Sequence, residues 1–433
     1  MDKDTRNRIQ RATQAARGLL EQDFEDQLAG VFDIRLDGTI AGEPGSHLDA
    51  AQRIVRTKLV AAVEHFRASG QGAAEAVASY RREAAFTTLN RFVALKMLEA
   101  RGLVQECISR GEQSSGFKEF CGLAPGLVQL PDRGYRLYIE SLFDELSVQI
   151  RVLFNRRDAS SLLWPKRATS EALLAGLNDP ELADVWRDDE TIGWIYQYYN
   201  DEAERKRMRE ESSAPRNSRE LAVRNQFFTP RYVVEFLTDN TLGRLWYEMT
   251  RGQTRLKEQC RYLVRRPTEI FLEPGASAPE GAAGSEAKAS DTLSQEELLR
   301  QPVHIPHRPL KDPREIRLLD PACGSMHFGL YAFDLFEGIY AEVWDIAQGP
   351  DDTAKAAEAF APFVSFAAAF PDHAAFLREI PRLIVEHNLH GIDIDRRAVQ
   401  IAGLSLWLRA QRAWHQGCLL YTSASPPTSN CPN

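Results

Sequence analysis

Residues 318–328 read Leu-Leu-Asp-Pro-Ala-Cys-Gly-Ser-Met-His-Phe, and this stretch decides how the second half of the chain folds. An apolar run ends on Asp320, small residues follow from Pro321 to Ser325, and an apolar periodic segment begins at Phe328. This order predicts a strand, a tight loop and a helix. Such a turn lets the backbone approach a nucleotide-like ligand at the carboxyl end of a parallel strand. Gly324 has no side chain to block that approach.

A second motif precedes this loop, at residues 225–237, and reads Asn-Gln-Phe-Phe-Thr-Pro-Arg-Tyr-Val-Val-Glu-Phe-Leu. Thr229 is predicted to be a helix N-cap, with Pro230 at the first helical position. The N-terminus of such a helix carries free N–H groups and partial positive charge, which favour a bound carboxylate. The predicted buried face of this helix consists of Val233, Val234, Leu237 and Thr241.

A third motif follows the loop, at residues 389–395, and reads Leu-His-Gly-Ile-Asp-Ile-Asp. The pattern predicts a short strand that ends on acidic residues and leads into a helix over 396–413. An acidic residue at this position can accept both hydroxyls of a ribose, and Asp393 is the candidate. Asp395 is predicted to be the N-cap of the following helix.

In this order, the three motifs resemble the AdoMet motifs of adenine-specific DNA methyltransferases, and most closely the PglX type of BREX phage-defence systems. The amino-methyltransferase loop usually reads Asp-Pro-Ala-Cys-Gly-Ser-Gly-His-Phe, and Met326 replaces its second glycine, an accepted variant in the PglX type. The resemblance implies that AdoMet is the cofactor and that Ile394 packs against its adenine ring. The cofactor-binding residues that it implies are Phe228, Thr229, Pro230, Asp320, Pro321, Ala322, Cys323, Gly324, Ser325, Asp393 and Ile394.

The front of the chain is predicted to be mainly helical. Apolar residues recur at helical spacing over 9–20, over 86–100 and over 142–153, and the second of these helices is expected to be buried on most sides. The aromatic segment 192–200 is interpreted as core packing, with base stacking as the alternative. The expected fold is this mainly α region followed by the start of a truncated α/β Rossmann-like AdoMet-dependent methyltransferase domain.

The predicted domain boundaries follow from changes in composition. We expect a helical domain over 1–200, a charged linker over 201–224, and the N-terminal part of the methyltransferase domain over 225–415. Insertions are expected near 274–300 and 350–381. Residues 416–433 lack periodicity and are expected to be a non-native or disordered tail.

Composition restricts the class of protein. The net charge is −8, which argues against a globally basic nucleic-acid binder but leaves room for a local basic surface. The basic residues between Arg251 and Arg266 are the best candidate, with a solvated helix face as the alternative. No apolar run is long enough to span a membrane, and the six scattered cysteines favour a cytoplasmic protein without a metal site.

The resemblance also implies a reaction, namely transfer of the AdoMet methyl group to N6 of an adenine flipped out of double-stranded DNA. Other phage-defence proteins are the further partners that it implies. The family holds the amine with an Asn/Asp-Pro-Pro-Tyr/Phe loop, and the only Pro-Pro pair here, Pro426-Pro427, lacks this context. The catalytic residues therefore stay unknown, and the chain is expected to be an inactive fragment. The alternatives are the methylase part of a fused restriction–modification enzyme and a non-catalytic AdoMet-binding scaffold.

Overall fold

A computed structural model describes residues 1–130, 134–200, 202–226, 229–279, 294, 300–350 and 358–424. Most of the insertion predicted near 274–300 lies outside these residues, as do 351–357 of the second predicted insertion. The last nine residues of the predicted tail also lie outside them. The chain divides into two compact units, Met1–Phe228 with Asp393–Trp407, and Thr229–Ile392 with Leu408–Asn433.

The first unit is helical in its described residues, which confirms the expectation of a mainly α region. Its helices are α1 (Lys3–Gly30), α2 (Ala50–Ala68), α3 (Ala73–Ala100), α4 (Ser115–Leu123), α5 (Tyr135–Leu146), α6 (Arg151–Phe154), α7 (Arg167–Leu177), α8 (Thr191–Tyr199), α9 (Glu202–Glu211) and α10 (Ser218–Asn225).

The core of the first unit is built around α3, which contacts α1, α2 and α8. From Ala84 to Leu98 every side chain of α3 is buried, as its wide apolar stripe predicts. The helix ends before Gly102, whose φ of 70° is the left-handed conformation that glycine adopts at low cost after a helix. Aromatic residues of α8 are also buried, and Tyr199 packs edge-on against Phe86 at 4.8 Å between ring centroids. The core-packing interpretation of segment 192–200 is therefore confirmed.

One predicted core helix of the first unit is wrong as a single element. The apolar residues over 142–153 belong to two helices, because α5 ends at Leu146 and α6 begins only at Arg151. Val148, in the connection, is 84% exposed. Helical spacing alone does not reveal this break, because the connecting residues include apolar ones that fit the same period.

The second unit contains helices and two pairs of short parallel strands. Its helices are α11 (Arg231–Thr238), α12 (Arg244–Met249), α13 (Leu256–Gln259), α14 (His327–Gln348), α15 (Ala361–Ala367) and α16 (His373–Leu383), and α17 (Arg396–Ala424) runs through both units. Its strands are β1 (Glu269–Phe271), β2 (Val303–Ile305), β3 (Leu318–Asp320) and β4 (Leu389–Gly391).

Strands β3 and β4 pair in parallel, and the chain between them forms α14, α15 and α16. The register sets Leu318 opposite Leu389 and Asp320 opposite Gly391. Helix α14 contacts both strands, and α15 and α16 pack against α14 through an aromatic cluster in which Trp344 stacks on Phe376 at 4.7 Å. Within the described part of the chain, no helix combines the length and the apolar character that a membrane crossing requires.

Candidate cofactor-binding site

The loop between β3 and α14 has the strand–loop–helix order that the sequence predicts. The end of β3 and the first half of the loop are tied to the residue after β4, because Ile392 N donates to Asp320 O at 2.9 Å and Cys323 N donates to Ile392 O at 3.0 Å. The Asp320 carboxylate accepts a hydrogen bond from Ala322 N at 3.1 Å, which closes the turn. The loop is thus fixed at the carboxyl edge of two parallel strands, the edge at which α/β sheets bind ligands.

Two residues of the loop adopt the left-handed conformation. Gly324 has a φ of 52°, and no atom lies within 4 Å of the position that a Cβ there would occupy. The position that a side chain at Gly324 would occupy is therefore open. Met326 has a φ of 67° and is only 1% exposed, so this side chain is held in a conformation that L-residues rarely adopt.

The side chain of Met326 fills the space that two glycines leave. A Cβ on Gly329 would lie 2.6 Å from Met326 Cε, and a Cβ on Gly391 would lie 3.0 Å from both Met326 Sδ and Cys323 Sγ. Met326 thus joins the start of α14 to the end of β4. Burial of a methionine side chain is worth roughly 1.5–3 kcal/mol, which offsets the strain of its backbone.

The helix of the second motif begins one residue later than predicted. Helix α11 starts at Arg231 with Pro230 as its N-cap, and no side chain caps it, so the predicted cap at Thr229 is wrong. The carbonyl of Pro230 accepts hydrogen bonds from Val233 N at 2.9 Å and Val234 N at 3.3 Å. Proline can occupy this N-cap position because the first helical turn uses its carbonyl and not its missing N–H.

The buried face of α11 also differs from the predicted one. Val234, Thr238 and Leu242 are buried, whereas Leu237 is 45% exposed and Thr241 is exposed. Helix α11 passes directly into a π-helical turn, Asp239–Gly243. The wider turn displaces the residues after Thr238 from the face that a regular period of 3.6 assigns to them.

This π-helical turn carries polar residues that the sequence reasoning missed. Asp239 is fully buried, and its carboxylate accepts from Tyr331 Oη at 2.8 Å and from Tyr262 N at 2.8 Å. Tyr331 belongs to α14, so this carboxylate links the end of α11 to the helix that follows the loop. Burial and the bond to Asp239 raise the pKa of Tyr331. The sequence did offer one signal for this buried carboxylate, because Asp239 lies between the apolar residues Leu237 and Leu242.

A second buried carboxylate, Glu342 of α14, was also missed. It accepts from Trp246 Nε1 at 2.8 Å, from Thr254 Oγ1 at 2.7 and 2.9 Å, from Arg255 N at 2.6 Å and from Leu256 N at 3.0 Å. Every one of these partners is a donor, so the ionised carboxylate satisfies them all. Glu342 fixes the segment after α12 on α14.

The residues of the third motif that follow Ile392 belong to the first unit. Asp393 Oδ1 accepts from Asp395 N at 2.7 Å, and Asp395 Oδ1 accepts from Arg397 N at 2.9 Å. The second contact is the N-cap bond that was predicted for Asp395 at the start of α17. Tyr196 Oη also donates to Asp395 at 3.1 Å, and the guanidinium of Arg397 lies 2.7 Å from the same carboxylate.

The electrostatics of Asp395 follow from this arrangement. Burial by itself would raise the pKa of Asp395, but the adjacent Arg397 guanidinium and the hydrogen bonds from Arg397 and Tyr196 hold that pKa below its usual value. Asp395 is thus a structural carboxylate of the first unit. Asp393, two residues earlier, is half-buried.

Ile394 is 59% exposed and lines a cavity of about 280 Å³ in the first unit. Arg82, Arg219 and Arg396 also line this cavity. Each of these arginines pairs with a carboxylate; for Arg82 and Arg219 the partners are Glu75 at 2.7 Å and Glu204 at 2.5 Å, and for Arg396 the partner is Asp158. In this cavity the apolar side chain of Ile394 therefore lies beside arginines whose charge is already balanced by carboxylates.

The structure thus brings some of the predicted site residues together. Residues 320–325 form one loop of the second unit, and Thr229 and Pro230 precede α11 in the same unit. Asp393 and Ile394 lie in the first unit. Phe228 lies outside the described residues.

Comparison with known proteins gives the chain its relatives. No family model matches it. It is 26% identical over 351 residues to the adenine-specific methyltransferase BrxX of Escherichia coli O9:H4 (strain HS), which covers 76% of this chain and 24% of that protein. It is also 26% identical over 292 residues to the adenine-specific methyltransferase PglX of Lacticaseibacillus casei (strain Zhang), which covers 65% of this chain and 19% of the relative.

The chain therefore spans about a fifth to a quarter of the length of these two relatives. Their names confirm the predicted resemblance, because the chain is similar to PglX-type adenine-specific methyltransferases.

Proposed function

We propose that this chain carries the AdoMet-binding region of a Rossmann-like DNA methyltransferase that modifies N6 of adenine. The observation that carries the proposal is the fixed loop between Asp320 and Ser325, held by Ile392 at the carboxyl edge of β3 and β4. A parallel strand, a loop with an open glycine and a helix are the parts that bind a nucleoside in α/β proteins. The relatives named above supply the reaction.

The described residues fit AdoMet in three respects. No side chain fills the open position at Gly324, so a ligand can approach the loop on that side. The partial positive charge at the N-terminus of α11, which follows Thr229 and Pro230, suits the methionyl carboxylate. Asp393 suits the ribose hydroxyls, and exposed Ile394 offers an apolar surface to the adenine ring.

When bound, AdoMet supplies an electrophilic methyl group on a sulfonium. The residues of this chain would bind and orient the cofactor: 320–325 along its length, Asp393 at the ribose, and Phe228 to Pro230 at the methionyl end. We propose that the full-length protein marks double-stranded DNA during phage defence, in the cytoplasm and together with other defence proteins. No residue of this chain is assigned to the chemical step, because the sequence lacks an Asn/Asp-Pro-Pro-Tyr/Phe loop.

Titration calorimetry of the 433-residue chain with AdoMet tests the cofactor site. We expect measurable binding that weakens by roughly 10-fold or more in Asp393→Ala, since a charge-assisted hydrogen bond contributes about 1.5–3 kcal/mol. The matched control is Asp345→Ala, which removes a carboxylate that is 54% exposed and pairs with Arg255 on the surface. Equal loss in both variants, or no binding by the unmodified chain, would refute the proposed site.

Methyl transfer is tested separately, with labelled AdoMet and unmodified duplex DNA. We expect the 433-residue chain to bind the cofactor without transferring the methyl group, because orientation of the target amine needs the missing loop. Transfer by this chain would contradict the expected inactivity and would place the catalytic residues within it.

A further inference from the structure

We propose that residues 260–267, here called the basic loop, contact the backbone phosphates of DNA. The basic loop reads Cys-Arg-Tyr-Leu-Val-Arg-Arg-Pro and connects α13 to β1 in the second unit. The inference extends the proposed function by assigning a DNA-contacting surface, and its test does not depend on AdoMet binding.

The local charge is opposite to that of the whole chain. Residues 251–267 contain six basic residues and one acidic residue, in a chain with a net charge of −8. DNA responds to the surface that faces it, so a local positive region can bind phosphates although the protein is acidic overall.

The arginines of this stretch fall into two groups with different partners. Arg251 forms two hydrogen bonds to the carboxylate of Glu273, both at 2.8 Å, and Arg255 pairs with Asp345 at 2.6 Å. These guanidinium groups are already neutralised. A phosphate would have to displace a carboxylate from them, which removes most of the gain.

The arginines of the basic loop have no such partner. Arg261, Arg265 and Arg266 are exposed, and among the residues that the structure describes none of their guanidinium groups forms an ion pair with a carboxylate; Glu269 accepts only from the backbone N of Arg266, at 3.2 Å. Arg261 lies over the ring of Tyr262 at 5.4 Å, a contact that leaves its N–H groups available. Three exposed, unneutralised guanidinium groups within six residues are suited to phosphate oxygens, which arginine binds in bidentate fashion.

The backbone of the basic loop is held in place by the π-helical turn that follows α11. Tyr262 N donates to Asp239 at 2.8 Å, Asn240 Nδ2 donates to Tyr262 O at 2.8 Å, and Val264 N donates to Asn240 Oδ1 at 2.8 Å. A loop without regular secondary structure is thereby fixed at both Tyr262 and Val264. Fixing it before binding lowers the entropy that a contact would otherwise lose.

Exposed aromatic side chains lead up to the same point. Tyr232 and Phe236 are 60% and 44% exposed and lie four residues apart on α11, on the stripe that continues to Asn240. Asn240 Nδ2 also bonds to Phe236 O at 2.8 Å, which sets the basic loop at the end of this stripe. Basic side chains beside exposed aromatic rings are typical of surfaces that bind nucleic acids.

The test compares three variants of the full 433-residue chain by fluorescence anisotropy with a labelled DNA duplex over a range of salt concentrations. The first, R261Q/R265Q/R266Q, removes the proposed contacts. The second, R251Q/R255Q, removes two arginines of the same stretch that are already paired. The third, R261K/R265K/R266K, keeps the charge of the basic loop.

We expect the triple Gln variant to bind more weakly and to show a shallower dependence of log Kd on log salt, by about 0.9 for each phosphate that it no longer neutralises. The paired-arginine control should keep the slope of the unmodified chain, and the triple Lys variant should keep most of it. Circular dichroism of each variant checks that the fold is retained.

An unchanged slope in the triple Gln variant, an equal loss in R251Q/R255Q, or no DNA binding by the unmodified chain would overturn the inference. Tighter binding to phosphatidylserine vesicles than to DNA would also overturn it, in favour of a membrane surface. These experiments contain no AdoMet, so a chain that fails to bind AdoMet could still confirm the DNA contact. Likewise, loss of the DNA contact would not refute the AdoMet site.

Discussion

The side chain of Met326 lies so close to Gly391 that a methyl group there would fit only if its neighbours moved. A Cβ on Gly391 would lie 3.0 Å from Met326 Sδ, tighter than nearly all real Cβ contacts. The residue that replaces the usual second glycine of the loop is therefore accommodated by a glycine at the end of β4. Met326 therefore couples the loop to β4 through packing, in addition to the hydrogen bonds of Ile392.

Replacement of Gly391 by alanine should lower the free energy of unfolding by about 1–3 kcal/mol, because the new methyl group overpacks the contact. The measurement is urea unfolding, combined with hydrogen exchange in peptides that cover 318–330. Gly176→Ala is the control, since nothing lies within 4 Å of its Cβ position in α7 and alanine favours a helix. An equally stable Gly391→Ala variant would show that the Met326 side chain moves away freely.

Replacement of Met326 by glycine should destabilise this chain. The change relieves left-handed strain of about 1–3 kcal/mol, but it removes a side chain whose loss from a core costs about 2–5 kcal/mol. The lost burial outweighs the relieved strain because Met326 is only 1% exposed. Thermal unfolding measures the effect, and Met326→Leu, which keeps the volume, should cost less. A Met326→Gly variant with a higher Tm than the parent would contradict this balance.

The strand, loop and helix around Gly324 could be predicted because the information is local. An apolar run, an Asp-Pro turn and small residues specify the element order within eleven residues. The parallel pairing of Leu318 with Leu389 was not predicted, although two strands joined by a helical segment commonly pair in this way. The N-cap at Asp395 could also be predicted locally, because the bond joins it to Arg397, only two positions later.

Contacts between distant segments could not be predicted in the same way. Glu342 and Trp246 are 96 positions apart, and no periodicity indicates that they meet. The π-helical turn at Asp239–Gly243 likewise moves Thr241 off the buried face that a regular helix would give it. Its wider turn is stabilised by Tyr331 and Tyr262, whose positions depend on the tertiary fold.

Replacement of Glu342 by glutamine should lower the free energy of unfolding by about 2–4 kcal/mol, although the two side chains have the same shape. Each partner of Glu342 is a donor, so the amide NH2 of glutamine would face an N–H or O–H group, and a buried donor would lose its acceptor. Asp345→Asn, on the exposed side of α14, should cost less than about 1 kcal/mol. Urea unfolding of both variants checks the contrast, and equal costs would contradict it.

The stability that Asp395 contributes should depend on pH in a defined direction. The pKa of Asp395 is held below its ordinary value of 3.8, so the folded state binds its proton less readily than the unfolded state does. Its contribution is therefore fully present well above pH 3.8 and is lost as the pH falls through the lower folded pKa. Asp395→Asn should cost about 3 kcal/mol near neutral pH, because it leaves Arg397 without its carboxylate.

The measurement is the difference in unfolding free energy between the parent and Asp395→Asn from neutral pH down to the acid limit of folding. The difference should stay constant near neutral pH and shrink in acid, where the parent protonates Asp395 and loses the same ion pair. Asp372→Asn is the matched control, because Asp372 caps α16 through Ala375 N at 2.7 Å and asparagine caps a helix equally well. A difference for Asp395→Asn that grows on acidification would reverse the assigned sign and remove Arg397 as the cause of the lowered pKa.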